Sequence, residues 1–274
     1  MRDLGGKVVV LTGAASGIGR ALALALAREG AILELADKDE AGLTDTVALM
    51  EPGDVVPRGL DVSDESAFND WASDILSRRG RADVVINNAG VAMVARAHTM
   101  SHEDLAWLMG INFWGVVHGT RAFLPQMLER DSGHIVNISS IYGLFGVGGH
   151  SAYCAAKFAV RGYSESVRVE LDGTGVKMTV VHPGGIKTNI ARNIRIRIQG
   201  EKVPTVDELA ARFDALAPTT ADKAAQVILG GIKRDKPRVL IGRDALFADI
   251  LSRLIPAKFP ILVSRRDTGA ASAR

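Results

Sequence analysis

Tyr153-Cys154-Ala155-Ala156-Lys157 puts a lysine four residues after a tyrosine, one turn along the same helix face. A phenol titrates near pH 10, so work as a base at neutral pH calls for a downward shift of roughly 3 units, or about 4 kcal/mol. A neighbouring ammonium and a cationic cofactor could together supply that by stabilising phenolate. The pair alone is weak evidence, because tyrosine and lysine commonly share an exposed helix face. Ser140 lies upstream, just beyond the strand-like run Ile135 to Ile138, and its hydroxyl could hold a substrate oxygen. Ser139 competes for that role, but alternation along a strand sends neighbours to opposite faces, so only one of the two looks into a cleft.

A second kind of chemistry is written near the start. Thr12-Gly13-Ala14-Ala15-Ser16-Gly17-Ile18-Gly19 follows Val8-Val9-Val10-Leu11 and leads into the apolar-faced run Ala21 to Ala27. Glycines at such a strand-to-helix turn let the backbone approach a diphosphate, whose charge then rests on the helix's free N–H groups. The spacing Gly-x-x-x-Gly-x-Gly departs from the common Gly-x-Gly-x-x-Gly fingerprint, so the strand-turn-helix context carries the reading. Asp37 closes the next strand, where a carboxylate can accept hydrogen bonds from both hydroxyls of an adenosine ribose. It would repel a 2′-phosphate, which favours NAD over NADP, although Lys38 could soften the repulsion. Its competing role is to open the polar loop Asp37-Lys38-Asp39-Glu40 and cap the helix after it.

These residues need a frame. Short β-branched runs alternate with long helical patterns, which predicts a parallel sheet. Seven strands emerge: Val8 to Leu11, Ile32 to Leu35, Val55 to Leu60, Val84 to Ile86, Ile135 to Ile138, Met178 to Val181 and Val239 to Ile241. Helices are expected over Gly17–Glu29, Asp64–Arg79, Glu103–Arg130, Tyr153–Leu171 and Asp222–Lys233. Continuous apolar strands such as Val84-Val85-Ile86 call for helices on both faces. Ser140 then sits at a strand's carboxyl end, where doubly wound sheets place ligands.

With Asn87-Asn88-Ala89-Gly90, Asn112 and Pro183-Gly184 added to Thr12-Gly13 through Gly19, Ser140, Tyr153 and Lys157, residues 5 to 190 resemble the short-chain dehydrogenase/reductase family. The resemblance implies a Rossmann-type doubly wound α/β fold with a seven-stranded parallel sheet, a nicotinamide cofactor and an Asn-Ser-Tyr-Lys tetrad. Tyr153 would be the acid/base and Ser140 the orienter of the substrate oxygen. Lys157 would lower the phenol's pKa and hold the nicotinamide ribose, and Asn112 would anchor a proton-relay water. Gly13, Ser16, Gly17, Ile18 and Gly19 would cradle the diphosphate. Asp61 and Val62 would lie near the adenine, and Asn88, Ala89 and Gly90 beside the adenosine ribose and central strand. Pro183, Gly184, Ile186 and Thr188 would hold the carboxamide end. His182, before that turn, reads as a strand-end residue rather than a catalyst.

Composition narrows the classes. Of 274 residues, 47% are hydrophobic and 23% charged, so one large domain over residues 1–264 is expected, with a frayed tail over 265–274. The 33 basic and 31 acidic side chains nearly cancel, and no basic stripe suggests a nucleic-acid partner. One cysteine, Cys154, excludes an intrachain disulfide and a thiolate metal cluster. The six histidines are scattered without ligand spacing, so no metal is expected. No leader or membrane-spanning run is visible, which suggests a cytoplasmic enzyme. A homodimer or homotetramer is implied by the family resemblance.

Two segments stay open. Ile190, Ile194, Ile196 and Ile198 interleave with Arg192, Arg195 and Arg197, a pattern suited to an apolar lid with a basic outer face over a lipophilic substrate, or to a plain solvated flank. The apolar stretch from Ala245 to Ile255, followed by Phe259 to Val263, could cover the cleft, join subunits or lie on a membrane surface. The first two are preferred, because Asp249 and Arg253 fall on one face without a strong basic stripe. A non-catalytic dinucleotide sensor with the same fold is the competing class, and the intact tetrad counts against it.

Overall fold

The computed structural model describes residues 3–197 and 205–267. Its central sheet holds β1 (Val8–Thr12), β2 (Ile32–Asp37), β3 (Val55–Gly59), β4 (Val84–Asn87), β5 (Gly133–Ile138), β6 (Val176–Pro183) and β7 (Arg238–Ile241). All seven strands run parallel, in the order β7-β6-β5-β4-β1-β2-β3. The chain therefore starts mid-sheet, winds out to β3, and crosses back to β4 to wind the other way. The carboxyl ends of β1 and β4 flank this reversal, where a crevice opens.

The helices are α1 (Gly17–Arg28), α2 (Glu40–Ala48), α3 (Glu65–Arg79), α4 (His102–Met109), α5 (Gly115–Glu129), α6 (Ser151–Glu170), α7 (Val206–Leu216), α8 (Ala221–Lys233), α9 (Arg243–Leu254) and α10 (Phe259–Asp267). Alternation along each strand divides the core between two layers. Val9 and Leu11 pack with Leu22 and Leu26 of α1 and Ile228 and Ile232 of α8. Val8 and Val10 pack on the opposite layer with Phe68 and Trp71 of α3, Phe123 of α5 and Val167 of α6. Both strand faces are apolar because both are covered.

The helix expected over Glu103–Arg130 is not uniform: α4 and α5 are joined by a wider π turn at Gly110–Trp114. Such turns shift the backbone ladder by one residue and recur at functional sites. The frayed tail is also corrected at its start, since α10 continues through Asp267; residues 268–274 lie outside the described residues. Two short parallel pairs join Met93–Ala95 to Arg195–Arg197 and Ile186–Lys187 to Thr219–Thr220. Strands of two or three residues are too short to announce a period in sequence.

Candidate active site

β1 ends in Thr12, and the chain then turns at Gly13 with φ +72° and at Gly17 with φ +54°, conformations that side chains rarely adopt. Space is short as well. A Cβ on Gly19 would collide with the Gly13 carbonyl, and one on Gly13 would lie 2.8 Å from Ala89 Cα and Asn88 Nδ2. Asn88 fixes this packing by donating to the carbonyls of Thr12 and Gly13 at 3.0 and 3.1 Å. Thr12 Oγ1 in turn accepts the N–H groups of Asn88 and Ala89 at 3.1 Å. Ser16 caps α1 in position but makes no side-chain capping bond, and the first turn, with Ile18 in it, carries no acidic residue. That end presents free N–H groups and a positive dipole.

Asp37, at the end of β2, reaches back to the same loop: its Oδ2 accepts the Ala15 N–H at 2.9 Å and its Oδ1 the Asp39 N–H at 3.0 Å. Capping of α2 falls to Asp39, which accepts from the Gly42 N–H. A carboxylate accepts about four hydrogen bonds, so Asp37 keeps capacity for a ribose. Lys38 is drawn away to Asp61 at 2.6 Å. Asp61 also accepts from the backbone and hydroxyl of Ser63; burial pushes its carboxyl up, but Lys38 and Ser63 together hold it below the usual carboxylate range. Val62 packs its side chain on Gly115, and its carbonyl accepts from His118 Nδ1 at 3.0 Å.

β5 carries the other half. Ser139 Oγ donates to the Lys157 carbonyl at 2.8 Å, so this serine points into α6. Ser140, the next residue, hydrogen-bonds the Tyr153 hydroxyl, and its Oγ accepts the Tyr142 N–H at 3.1 Å. Lys157 is buried, donates from Nζ to the Ile138 carbonyl at 3.0 Å, and stands 5.7 Å from the centre of the Tyr153 ring. Deeper along α6, Asn137 Nδ2 donates to Ser164 Oγ at 2.9 Å. Three consecutive residues, Asn137, Ile138 and Ser139, thus bond α6 to the sheet.

Asn112 is fully buried in the π turn, where its Oδ1 accepts the Val91 N–H at 2.8 Å and its Nδ2 donates to the Val91 carbonyl at 2.9 Å. A side chain on Gly90 would meet Asn112 Oδ1 at 3.2 Å and Lys157 Nζ at 3.5 Å. Asn112, Gly90 and Lys157 therefore converge.

The charge balance differs from the one the family resemblance implies. Burial pushes the Tyr153 phenol up to about 12, against the opposing hydrogen bond from Ser140. Burial also pulls the Lys157 ammonium down to about 8. The same desolvation that weakens the ammonium as a charge raises the cost of phenolate beside it. At neutral pH the protein by itself holds a protonated phenol, ready to donate.

After β6 the chain turns at Pro183-Gly184-Gly185. Asp244 of α9 receives the Gly185 N–H at 2.6 Å and occupies the space a Gly184 side chain would need. Ile186 is buried and pairs with Thr219. The Thr188 side chain lies 3.1 Å from where a Gly17 Cβ would be, which closes the crevice across from the glycine loop.

A family model described as short chain dehydrogenase matches residues 7–199. The chain belongs to the short-chain dehydrogenase family. It is an oxidoreductase by that membership, and its relatives agree. The protein SadH of Mycobacterium tuberculosis is 42% identical over 268 residues, 96% of each chain. The 3-oxoacyl-[acyl-carrier-protein] reductase FabG of Thermotoga maritima is 36% identical over 193 residues, 70% of this chain and 78% of its own. In structure, a short-chain dehydrogenase/reductase from Burkholderia phymatum in complex with NAD matches at 32% identity and a TM-score of 0.83 over the whole of both chains. A serine dehydrogenase complexed with NADP+ matches at 26% identity and a TM-score of 0.76, covering 85% of this chain and 94% of that one.

A dinucleotide fits this dehydrogenase on its own geometry, because the cradle at Gly13 and Gly19 excludes any side chain and the α1 end is uncapped. The partners of two residues at this site escape sequence reasoning, which reads His182 only as the strand-end residue it is and does not single out Asp244. His182 is fully buried; its Nδ1–H donates to the Ser140 carbonyl at 3.0 Å, and its Nε2 meets no partner among the described residues. Burial pulls its pKa down to about 4, so the ring stays neutral. Asp244 holds the Gly184-Gly185 turn from far along the chain. No local pattern marks either one, since their partners are brought by β5, β6 and α9.

Proposed function

We propose that this dehydrogenase interconverts a lipophilic alcohol and its ketone or aldehyde with NAD, and that Tyr153 moves the proton. A nicotinamide dinucleotide bound along the glycine loop would supply or accept the hydride. The observation that carries the reading is the hydrogen bond between Tyr153 and Ser140 beside buried Lys157, at the carboxyl end of β5 and across Gly90 from the glycine loop.

In carbonyl reduction Tyr153 gives its proton to the substrate oxygen while Ser140 holds that oxygen as its charge grows. Lys157 keeps the phenol's surroundings cationic and holds the ribose of the cofactor. Asn112, fixed to Val91, anchors the route by which the phenol regains its proton. In alcohol oxidation Tyr153 must first lose its proton, against the burial that favours the neutral phenol. Asp37 would accept the ribose hydroxyls, and its neighbour Lys38 is engaged by Asp61.

The flanks of Tyr153 favour an apolar substrate. On one side it joins the cluster of Met93, Leu108, Ala152 and Ala156, against which Trp107 and Phe113 also pack. Tyr142 stands edge-on to it at 6.0 Å and leads to Leu144 and Phe145. Arg195 lies over the Trp107 ring at 3.4 Å and Arg197 reaches Asp104 at 3.2 Å, so both arginines face outward and fasten the 195–197 strand to α4. Ile198 lies outside the described residues.

The test is nicotinamide reduction and oxidation by purified protein with NAD or NADP and alcohols from short to steroid-sized, across pH. Oxidation rising with pH, carbonyl reduction flat or falling, and rates that improve with apolar size are expected. Dinucleotide binding without turnover of any carbonyl or alcohol would overturn the reading.

A further inference from the structure

Both acidic side chains of α9 turn inward. Asp244 holds the Gly185 N–H, and Asp249 receives Arg238 of β7 through two bonds of 2.9 and 2.6 Å. Asp249 and Arg253 fall on one face, as expected, and pair at 3.2 Å, but the charge of Asp249 is matched mainly inside by Arg238.

The outward face of α9 is then Leu246, Phe247, Ile250 and Leu254, each about half-exposed or more, at one-turn spacings that make a stripe. α10, packed on α9, adds exposed Ile261 and Leu262. Among the side chains from α9 through α10 whose exposure is described, the exposed charges are Arg243, Arg253 and Lys258, and of these Arg253 is shared with Asp249. Apolar side chains flanked by cations match the acyl boundary and headgroups of an anionic bilayer. A second copy of the chain could bury the same apolar side chains but would leave these cations unmatched, since both acidic side chains of α9 turn inward.

The inner side of these helices connects the patch to the cleft. Phe259 and Ala248 pack on Leu144 and Phe145, with the rings of Phe145 and Phe259 4.8 Å apart, and this turn follows Ser140 directly. We infer that α9 and α10 dock this enzyme on membrane surfaces rich in anionic lipid, with Phe247 and Leu254 at the acyl boundary. Among the described residues no helix is long and apolar enough to cross a membrane, so the contact is peripheral. A lipophilic substrate held in such a membrane would meet the enzyme beside its cleft.

The test sediments the full chain with vesicles of phosphatidylcholine alone or with phosphatidylglycerol added, for wild type, F247E/L254E and R243A/K258A. Molecular mass and dinucleotide binding are measured alongside. Wild type should bind the anionic vesicles at least tenfold better than the neutral ones and lose binding as salt shrinks the screening length from about 10 to 3 Å. F247E/L254E should lose binding to both at least tenfold with its mass and dinucleotide affinity unchanged, and R243A/K258A should lose the anionic preference. Wild type left in the supernatant, or a preference untouched in R243A/K258A, would overturn the inference. So would a wild-type dimer that F247E/L254E splits, which gives the face to a second copy. Sedimentation requires no turnover, so failure of the hydride-transfer reading leaves this result interpretable.

Discussion

The carboxyl end of β5 and the outer face of α9 break the inside-outside rule in opposite directions. At β5, Asn112, Asn137, Ser139 and Lys157 are buried, each paired to a backbone or side-chain partner. At α9, Leu246, Phe247, Ile250 and Leu254 are exposed, with nothing among the described residues covering them. Buried polar groups fix one geometry because losing a partner is costly, whereas an exposed apolar stripe fixes nothing within the chain and is free to meet a surface. On the proposed reading the first region serves chemistry and the second contact. Substitutions in the two should therefore separate turnover from attachment.

The largest separation is expected at Tyr153. Tyr153→Phe removes the proton donor and should lower kcat by about 10³-fold, within the range for general acid–base groups, while dinucleotide binding by fluorescence stays within twofold. Residual turnover near wild type would break the distinction at its centre. Next comes His182→Leu, which takes one of two donors from the Ser140 carbonyl and leaves it the Gly143 N–H. About 0.5–1.5 kcal/mol of stability should go, with kcat falling more than KM rises; His182→Asn, which restores an N–H donor, should recover most of both. Equal loss in the two variants would make His182 a packing residue only.

A comparable effect is expected at Asp37. Asp37→Ser removes the carboxylate that opposes a 2′-phosphate, and the NAD over NADP ratio of kcat/KM should fall at least tenfold, about 1.4 kcal/mol. An unchanged ratio would confine Asp37 to holding the loop through Ala15. The smallest is F247E/L254E, whose thermal unfolding should shift by no more than about 0.5 kcal/mol per exposed site. A large drop would mean that α9 packs more of this face than its exposure shows.

Much of the first region is legible in the chain itself. The glycine loop, Asp37 at a strand end, Ser140 and the Tyr153–Lys157 pair are local patterns, each set by a turn conformation or a helical spacing, and the family resemblance joined them. The inner strands β1, β4, β5 and β6 follow from their apolar residues because each is covered on both faces, whereas β3 at the edge is half-exposed or exposed along its length. Less was legible where partners come from afar. The π turn at Asn112, the short strand pair Met93–Ala95 with Arg195–Arg197, and the hold of Asp244 on Gly185 have no local signature. The inward turn of Asp249 also needed Arg238, supplied by β7.

The raised phenol of Tyr153 teaches the same point in electrostatic terms. Spacing alone brings the ammonium of Lys157 near the ring, and the spacing is present in the structure. Whether that ammonium lowers the phenol or is itself weakened depends on how dry the site is, and dryness comes from α4, the π turn and the sheet packing on α6. Sequence determined which groups meet along one helix, one strand and one turn, because backbone geometry repeats over a few residues. Only the tertiary structure decided their protonation, their distant partners and which apolar side chains stay outside, because burial is a property of the whole packed chain.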